Sequence, residues 1–329
     1  MAKVLGFTSS ISGPLVDRIR DIVTGAGHEY VQGPSYFGIP SEEDVTDSLL
    51  QIMPEIAGVI LGGQPVNRTV IERSPELKVI ARTGVGFDAV DHEAAAEHGV
   101  AVTITPYANA DSVAEFAMLL ALALSRQLPG NHMSVASGSF KRVMGRDIFG
   151  QTIGIVGLGR IGRRVTERAQ AFGMKVIANE AYPDMEFVTS RGIELTDIDD
   201  LVSRADVVTL HAPNTPETYH LINAERLATM KPTAILVNTA RGQLIDEKAL
   251  AAALRSGQIG GAGLDVFESE PLEDDSPLRG LDNLIMAPHV AGVTSESTMR
   301  MAEDAAHTVV DVLSGSWPRE VVVNGVYSH

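Results

Sequence analysis

The sequence contains no cysteine. Disulfide bonds, thiolate nucleophiles and cysteine-ligated metals are therefore excluded for this chain. Positive charge is also scarce, because 26 lysine and arginine residues stand against 42 acidic residues and the formal net charge is −16. Such a charge repels nucleic-acid phosphates and anionic lipid surfaces. We expect neither a nucleic acid nor a membrane among the partners.

A long hydrophobic run is missing too. The most apolar stretch, Phe116 to Leu124, is far shorter than the roughly 20 residues that cross a bilayer. The first residues, MAKVLGFTSSISG, lack the apolar core of a signal peptide. Together with the missing cysteines, these patterns predict a cytoplasmic protein.

The chain does contain enough apolar residues for two cores. With 329 residues, 44% hydrophobic and 21% charged, it matches a globular protein of two domains of roughly 150 residues each. Short apolar runs alternate with helical patterns, which is the spacing of βαβ units with parallel strands. The first series of runs is KVLGF, AGVILGG, LKVIARTG and VAVTITP, and the second is QTIGIVGLG, KVIANE, ADVVTLHAP, AILVNTARG, GAGLDVF and NLIMAPH.

Two helical patterns flank the second series. Asp111 or Ser112 is expected to cap a helix that continues to about Gln127. This segment, SVAEFAMLLALALSR, is apolar almost all round, so it is either a core helix or a subunit interface. After His289, SESTMRMAEDAAHTVVDVLSG predicts a helix that returns over the first unit and ends at Gly315.

A glycine-rich motif, Gly157-x-Gly159-x-x-Gly162, lies between a predicted strand and a predicted helix. In such a motif the first glycine makes a tight turn, the second lets the backbone approach a pyrophosphate, and the third allows close helix packing. The phosphates bind the free N–H groups at the helix N-terminus. Glu180 ends the next strand, where a carboxylate can accept from ribose hydroxyls and repel a 2′-phosphate. The spacing favours an NAD site over a plain glycine turn with a surface glutamate.

Three polar residues, Arg241, Glu270 and His289, each follow an apolar run of the second series. Because the carboxyl ends of parallel strands share one edge of a sheet, all three are expected to face one cleft. A guanidinium can bind a carboxylate through two hydrogen bonds, and an imidazole paired with a carboxylate can protonate a carbonyl oxygen as a hydride arrives. Taken singly, they also fit a salt bridge, an acidic loop and a core histidine. Together they favour reduction of a 2-oxo acid.

These motifs resemble the D-2-hydroxyacid dehydrogenase family over nearly the whole chain. The resemblance rests on RTGVGFDAVD, GIVGLGRIGRRV, LHAPNTPETYHLINAERLATMKPTAILVNTARGQLIDEKAL, GAGLDVFESEP and APHVAG, in the family's order. It implies an α/β protein with two Rossmann-like domains: a flavodoxin-like substrate-binding domain of residues 1–104 and 294–329, and an inserted NAD-binding Rossmann domain of residues 105–293. The active site is expected in the cleft between the domains.

The resemblance also implies roles for single residues of the second series. Arg241 is expected to bind the substrate carboxylate, His289 to be the acid and base, and Glu270 to be the partner of His289. The expected cofactor contacts are Gly157, Gly159, Arg160, Ile161, Gly162, Glu180, Ala212, Thr239, Ala240, Asp265 and Gly292. Among these, Asp265 is expected to accept a hydrogen bond from the nicotinamide carboxamide. No metal site is predicted.

In the first series, the backbone of Val85 and Gly86 is expected to contact the substrate carboxylate. Arg82 either adds positive charge to that contact or forms a surface ion pair. Members of the family usually dimerise through the segment that matches residues 112–126, so a homodimer is expected.

Departures from the family pattern bear on the substrate. Phosphoglycerate dehydrogenases often carry an Arg-Ser pair after the strand matching AGVIL, where this chain has Gly62-Gly63-Gln64. The chain also ends without the regulatory domain that many of them have. A phosphorylated substrate is therefore disfavoured, although Arg82 and Arg68 are candidate anion contacts. Formate dehydrogenases of the superfamily replace Glu270, so its presence argues against that activity.

The resemblance thus implies NAD(H)-dependent interconversion of a small 2-oxo acid and its D-2-hydroxy acid, like that of phosphoglycerate dehydrogenase or glyoxylate/hydroxypyruvate reductase. The alternative is an NADH-sensing interaction protein with little turnover, similar to the corepressors that keep this fold. The sequence shows no added disordered tail or basic arm, which favours the enzyme.

Overall fold

The computed structural model describes residues 1–6, 13–33 and 42–328. Phe7 of the predicted strand KVLGF lies outside the described residues. The strands are β1 (Lys3–Gly6), β2 (Glu29–Gln32), β3 (Ile56–Leu61), β4 (Val79–Arg82), β5 (Ala101–Thr103), β6 (Thr152–Val156), β7 (Lys175–Asn179), β8 (Glu194–Leu195), β9 (Val207–Leu210), β10 (Ile235–Asn238), β11 (Gly261–Leu264) and β12 (Leu284–Met286).

Helices connect most of these strands, as βαβ units require. They are α1 (Gly13–Gly25), α2 (Glu42–Ile52), α3 (Arg68–Glu72), α4 (His92–Glu97), α5 (Ala110–Ser125), α6 (Leu128–Ala136), α7 (Arg160–Ala171), α8 (Met185–Ser190), α9 (Ile198–Arg204), α10 (Ala224–Thr229), α11 (Glu247–Ser256) and α12 (Ser295–Leu313). Short 3₁₀ turns occupy Met53–Glu55 and Gly242–Leu244.

The chain divides into two compact units, each with its own parallel sheet. The first unit comprises Met1–Asn109 and Val293–His329, and the second comprises Ala110–Gly292. The boundaries predicted from the sequence differ from these in assigning residues 105–109 and residue 293 to the second domain.

The first unit contains a sheet in the order β2-β1-β3-β4-β5. All its neighbouring strands are parallel, and the order 2-1-3-4-5 is the flavodoxin-like one. The fold class predicted from the sequence is confirmed. β2 was not predicted, because its residues, EYVQ, show no apolar run and are only partly buried.

Helix α12 returns from the end of the chain and packs on β3, β4 and α1, as its sequence pattern predicts. It begins at a capping box in which Thr294 and Ser297 satisfy each other's backbone N–H groups. Its buried face is a stripe of small and branched residues, Ala302, Ala305, Ala306, Val309 and Val312. The contact with β3 is close at Gly58, where an added Cβ would lie 2.6 Å from Cγ1 of Val309.

The second unit contains a sheet in the order β12-β11-β10-β9-β6-β7-β8. Counted from β6 as the first strand, this is the Rossmann order 3-2-1-4-5-6 with a seventh parallel strand. The six strands predicted in this part of the chain are all present. β8 was missed because it has only two residues, one of them exposed. The order reverses between β6 and β9, which is where such sheets bind ligands.

Helix α5 is mainly a core helix of the second unit. It packs against α7, β10 and β11, and Gly263 of β11 lets it approach so closely that an added Cβ would lie 2.9 Å from Cβ of Leu120. The helix begins at Ala110, so the prediction of a cap at Asp111 or Ser112 is wrong, and both residues lie in its first turn. In the described part of the chain, no helix is both long enough and apolar enough to cross a membrane.

We predict that Gly58→Ala destabilises the first unit, because the methyl group must displace Val309 in a packed core. Such overpacking typically lowers the free energy of unfolding by about 1–3 kcal/mol. Denaturant unfolding checks this, with Gly63→Ala as the control, since an added Cβ at Gly63 meets nothing within 4 Å. Equal unfolding midpoints for the two variants would show that α12 does not pack on β3 as described.

Candidate active site

The glycine turn after β6 is shaped by close backbone contacts. Gly157 has φ +91°, and an added Cβ there would lie 2.7 Å from the carbonyl carbon and oxygen of His211. An added Cβ on Gly162 would overlap the carbonyl oxygen of Gly157. At Gly159 an added Cβ meets nothing within 4 Å, so the chain leaves space beside this residue. The tight turn and the close packing that the motif predicts are present at Gly157 and Gly162, and the space at Gly159 fits the predicted approach of a pyrophosphate.

The helix that follows the turn presents an uncapped N-terminus. No side chain caps α7, which begins at Arg160, and its preceding residue is Gly159. The side chain of Ile161 packs against the hydrophobic core. The backbone N–H groups of the first turn are therefore the groups suited to bind a ligand. Backbone N–H groups at such a terminus bind phosphates. These observations fit a dinucleotide pyrophosphate.

Glu180 follows β7 directly and lies against the glycine turn. Its Oε2 accepts a hydrogen bond from the backbone N–H of Leu158 at 2.6 Å, and its Oε1 accepts from that of Tyr182 at 3.0 Å. Each carboxylate oxygen can accept a further hydrogen bond. The geometry places this acid beside the pyrophosphate turn, which is where a ribose-binding carboxylate belongs in a Rossmann domain.

Two buried polar atoms without a hydrogen-bond partner lie after the neighbouring strands. Nδ1 of His211, after β9, and Oγ1 of Thr239, after β10, have none among the described residues. Nε2 of His211 is 2.9 Å from Oγ1 of Thr209, and burial lowers the pKa of His211 to about 3, so the ring is neutral. Unsatisfied buried polar groups are costly, so a bound ligand is a natural partner. Thr239 is a predicted cofactor contact, as are Ala212, next to His211, and Ala240.

His211 itself was missed by the sequence analysis. The available signal was a polar residue directly after the buried run VVTL and directly before the predicted contact Ala212.

Arg241 lies three residues beyond β10 in a braced turn. Asn238, the last residue of the strand, is fully buried and donates from Nδ2 to the carbonyl oxygen of Arg241 at 2.8 Å. Its Oδ1 accepts from the backbone N–H of Ala240 at 3.0 Å. The guanidinium of Arg241 donates to the carbonyl oxygen of Ala240 at 2.6 Å. Asn238 was also missed, although an amide that ends the apolar run ILV was visible in the sequence.

The turn of Arg241 is packed directly against the loop that follows β11. An added Cβ on Gly242 would overlap the backbone of Phe267 and Glu268. Glycine is therefore needed at this position because two backbone segments touch there. This contact brings the segment of Arg241 and the segment of Glu270 side by side.

Glu270 and His289 form a hydrogen-bonded pair between the ends of β11 and β12. Nδ1 of His289 is 2.8 Å from Oε2 of Glu270, and Oε1 of Glu270 accepts from the backbone N–H of Phe267 at 3.0 Å. The side chain of His289 is 56% exposed and that of Glu270 is 31% exposed. Because Nδ1 is bound to Glu270, Nε2 is the ring nitrogen left for a substrate.

The charges of this pair support each other. The hydrogen bond that His289 donates to Glu270 raises the pKa of His289, and the charges of Glu270 and Asp265 reinforce this. Burial and the charge of Arg241 oppose it. Burial would raise the pKa of Glu270, but the hydrogen bonds from His289 and Phe267 and the positive charges of His289 and Arg241 hold it below its ordinary value. The structure thus favours an ionised carboxylate and a protonated imidazole.

Asp265 holds the backbone around His289. Its Oδ1 accepts from the N–H of Val290 at 2.8 Å and its Oδ2 accepts from that of Ala291 at 2.7 Å. Its carbonyl oxygen accepts from the N–H of His289 at 2.8 Å, and His289 has φ +55°. Asp265 is 1% exposed, and burial raises its pKa although the two N–H groups lower it. Its expected contact with a nicotinamide carboxamide stays a prediction.

In the first unit, Arg82 is not a surface residue. It is buried at the end of β4, where Nε donates to the carbonyl oxygen of Gly86 at 3.1 Å. The guanidinium therefore supports the loop of Val85 and Gly86, and Val85 is exposed. That this loop contacts the substrate carboxylate stays a prediction. Arg68, the other candidate anion contact, is 2.6 Å from Glu97 and 3.8 Å from both Glu72 and Asp91.

The predicted residues of the second unit are arranged along one edge of its sheet. The glycine turn follows β6, Glu180 follows β7 and Ala212 follows β9. Thr239, Ala240 and Arg241 follow β10, Glu270 follows β11 and His289 follows β12. Gly292 is the last residue of this unit. The edge therefore presents the glycine turn at its middle and a cation, a carboxylate and an imidazole on one side of it.

Comparisons with known proteins support an NAD-binding domain in the second unit. The model of the D-isomer specific 2-hydroxyacid dehydrogenase, NAD binding domain, family matches residues 118–291, more than half of the chain. A curated D-3-phosphoglycerate dehydrogenase of Methanocaldococcus jannaschii is 47% identical over 267 residues, which are 80% of this chain and 51% of the relative. The chain thus spans about half the length of that relative.

Other matches extend over nearly the whole chain. The glyoxylate reductase of Thermofilum pendens is 39% identical over 323 residues, which are 96% of this chain and 93% of the relative. The crystal structure of D-lactate dehydrogenase from Aquifex aeolicus, complexed with NAD and lactic acid, superimposes with a TM-score of 0.82 at 29% identity and covers 98% of this chain and 99% of that one.

The predicted family is confirmed by the family model, by the full-length relative and by the Rossmann sheet with its glycine turn. The chain belongs to the D-isomer specific 2-hydroxyacid dehydrogenase family, and its second unit contains that family's NAD-binding domain.

Proposed function

We propose that the protein catalyses the reversible NAD(H)-dependent reduction of a small 2-oxo acid to its D-2-hydroxy acid. One observation carries this proposal. A histidine whose Nδ1 is 2.8 Å from a carboxylate lies beside an arginine, at the ligand-binding edge of an NAD-binding sheet.

Arg241 and His289 divide the work on the substrate. The guanidinium of Arg241 binds the carboxylate and draws electron density from the adjacent carbonyl group. Nε2 of His289 donates a proton to the carbonyl oxygen, and it accepts that proton in the reverse reaction. NADH, when bound, would supply the hydride that the carbonyl carbon accepts. Hydride and proton together convert the 2-oxo group to a hydroxyl group.

Glu270 keeps His289 ready to donate. A proton donor must be protonated at the working pH, and Glu270 raises the pKa of His289 through its hydrogen bond and its charge. It also fixes the ring, because the bond to Nδ1 leaves Nε2 as the reactive nitrogen. Asp265 fixes the backbone of the same segment.

We propose an unphosphorylated substrate such as glyoxylate, pyruvate or hydroxypyruvate. The two candidate anion contacts, Arg68 and Arg82, are engaged with other groups of the protein. Arg68 is surrounded by three carboxylates, and Arg82 donates to the backbone carbonyl oxygens of Gly86 and Gln64. Gly62-Gly63-Gln64 occupies the place where phosphoglycerate dehydrogenases often have an Arg-Ser pair, and it contains no cation. The side chain of Gln64 accepts from the backbone N–H of Gly62 at 2.9 Å. Relatives named glyoxylate reductase support this choice.

We also propose a homodimer formed through residues 112–126 and the helix after them. Leu119 of α5 is 52% exposed, and α6 has no buried residue. The exposed apolar residues of α6 are Leu128, Met133 and Val135. Exposed large apolar side chains concentrated in one segment of the chain are typical of subunit interfaces. Sedimentation equilibrium of the purified protein tests the proposal, and a monomer at micromolar concentration would contradict it.

We predict that the protein oxidises NADH with at least one acid among glyoxylate, pyruvate and hydroxypyruvate, and prefers these to 3-phosphohydroxypyruvate. Arg241→Lys should lower kcat/KM by about 10²-fold, because an ammonium group cannot form the paired hydrogen bonds of a guanidinium. Absorbance of NADH measures both effects. Binding of NADH without its consumption would instead support an NADH-sensing interaction protein, and an unaffected Arg241→Lys variant would remove the proposed role.

We predict that Glu270→Gln moves the pH dependence of reduction toward lower pH. The substitution removes the charge that raises the pKa of His289, so the imidazole loses its proton at a lower pH. The reduction rate of the variant should therefore fall off earlier as pH rises than that of the parent protein. Profiles of kcat/KM against pH for both proteins check this, and a Glu270→Gln profile that falls off at the same pH as the parent contradicts it.

A further inference from the structure

We propose that Glu268 is a positioning residue that holds the segment of Arg241 and the segment of Glu270 in their relative places. The inference rests on the proposed function, because positioning matters only if these residues act on one substrate. Glu268 lies two residues before Glu270 and is not itself assigned a contact with substrate or cofactor.

Glu268 is joined to the segment after Arg241 by three hydrogen bonds. Its Oε1 accepts from the backbone N–H of Glu247 at 3.1 Å, and its own backbone N–H donates to Oε1 of Glu247 at 2.7 Å. Its carbonyl oxygen accepts from Nε2 of Gln243 at 3.0 Å. Side chain, N–H and carbonyl group of one residue therefore all bind the same neighbouring segment.

The same carboxylate also reaches a third loop. Nε2 of His220, which follows β9, lies 3.0 Å from Oε1 of Glu268. The backbone N–H of His220 donates to the carbonyl oxygen of Gln243 at 2.8 Å, and the ring stacks on Tyr219 with 4.1 Å between centroids. His220 has φ +49°, a conformation that a non-glycine residue keeps only when its surroundings hold it. Glu268 thus connects loops that follow three adjacent strands.

These contacts lie where the sheet no longer fixes the chain. The paired positions of β10 and β11 end at Asn238 and Leu264, and one more bond joins Asp265 to Asn238. Arg241 and Glu270 come after these points. Between them, the two backbones approach so closely at Gly242 that no side chain fits there. The hydrogen bonds of Glu268 fix the position of one segment along the other.

The network suits positioning better than acid–base chemistry. Glu268 and Glu247 are both acids, and each accepts from the backbone N–H of the other. Burial raises the pKa of Glu247, as do the charges of Glu268, Glu270 and Glu273, whereas the N–H of Glu268 lowers it. His220 supplies a further donor. With these partners engaged inside the network, Glu268 acts on catalysis through the placement of Glu270 and Arg241.

We expect Glu268→Ala to lower kcat for 2-oxo acid reduction by about tenfold to a hundredfold, the loss that a small misplacement of catalytic groups causes. Glu268→Gln should keep most of the activity, because its amide oxygen still accepts from Glu247 and His220. Glu273→Ala is the matched control, since it removes an exposed acid from the same loop with no side-chain hydrogen bond among the described residues. Circular dichroism verifies that each variant is folded.

A second readout does not need turnover. The imidazole of His289, followed by NMR during a pH titration, should lose its proton at a lower pH in Glu268→Ala than in Glu273→Ala, because its bond to Glu270 is loosened. In Glu268→Gln it should titrate as in the parent protein. If Glu268→Ala fails to fold, His220→Ala carries the same test with a smaller change in the same direction.

The outcomes separate the two proposals. A parent protein that consumes no NADH with any acid refutes the proposed function, and the titration of His289 still decides the role of Glu268. The inference is overturned if His289 titrates at the same pH in Glu268→Ala as in the control, Glu273→Ala. Where His220→Ala replaces Glu268→Ala, the same comparison applies to it. A normal titration of Glu268→Gln together with a lowered one of Glu268→Ala supports it.

Discussion

The hydrogen bond between Nδ1 of His289 and Oε2 of Glu270, 2.8 Å long, joins loops that follow two different strands. An exposed imidazole has many orientations, and a proton donor in catalysis must have one. The bond selects that orientation, raises the pKa of the ring and leaves Nε2 outside the pair. The rest of the second unit can be understood as the means of holding the two loops at this separation.

Several contacts serve that purpose, and most of them involve the backbone. Parallel pairing holds β11 next to β12 and β10 next to β11. Asp265 binds the N–H groups on the far side of His289, and Phe267 donates to Glu270. Gly242 lets the segment of Arg241 approach the same loop. Buried, hydrogen-bonded surroundings make such a site rigid before any ligand arrives, which is the condition for efficient catalysis.

Much of this could be predicted from the sequence, because it depends on short-range patterns. Apolar runs of strand length predicted most of the strands, and the polar residues after them lie along one edge of the second sheet, as expected. The glycine motif predicted an NAD-binding domain, which the family model confirms, whereas the roles of the single residues stay predictions. Two strands were not predicted, because β2 is partly exposed and polar and β8 is too short to show a pattern.

The contacts that hold the site could not be predicted in this way, since they join residues far apart in the chain. Asp265 follows an apolar run like its neighbours, but its carboxylate binds N–H groups 25 and 26 residues later. Gly242 is needed because the backbone of Phe267 and Glu268, about 25 residues later, touches it. Arg68 was a candidate contact for a substrate anion in the sequence, and only the fold shows that three carboxylates already surround it.

We propose that His289, kept protonated by Glu270, gives and takes the proton of the reaction. The most direct test is the pH dependence of kcat/KM for the parent protein in both directions, with a 2-oxo acid and NADH and with the D-2-hydroxy acid and NAD. We predict that reduction falls and oxidation rises as pH increases, with one shared apparent pKa above the ordinary histidine value of 6.5. Profiles that move in the same direction, or that share no pKa, would contradict the claim.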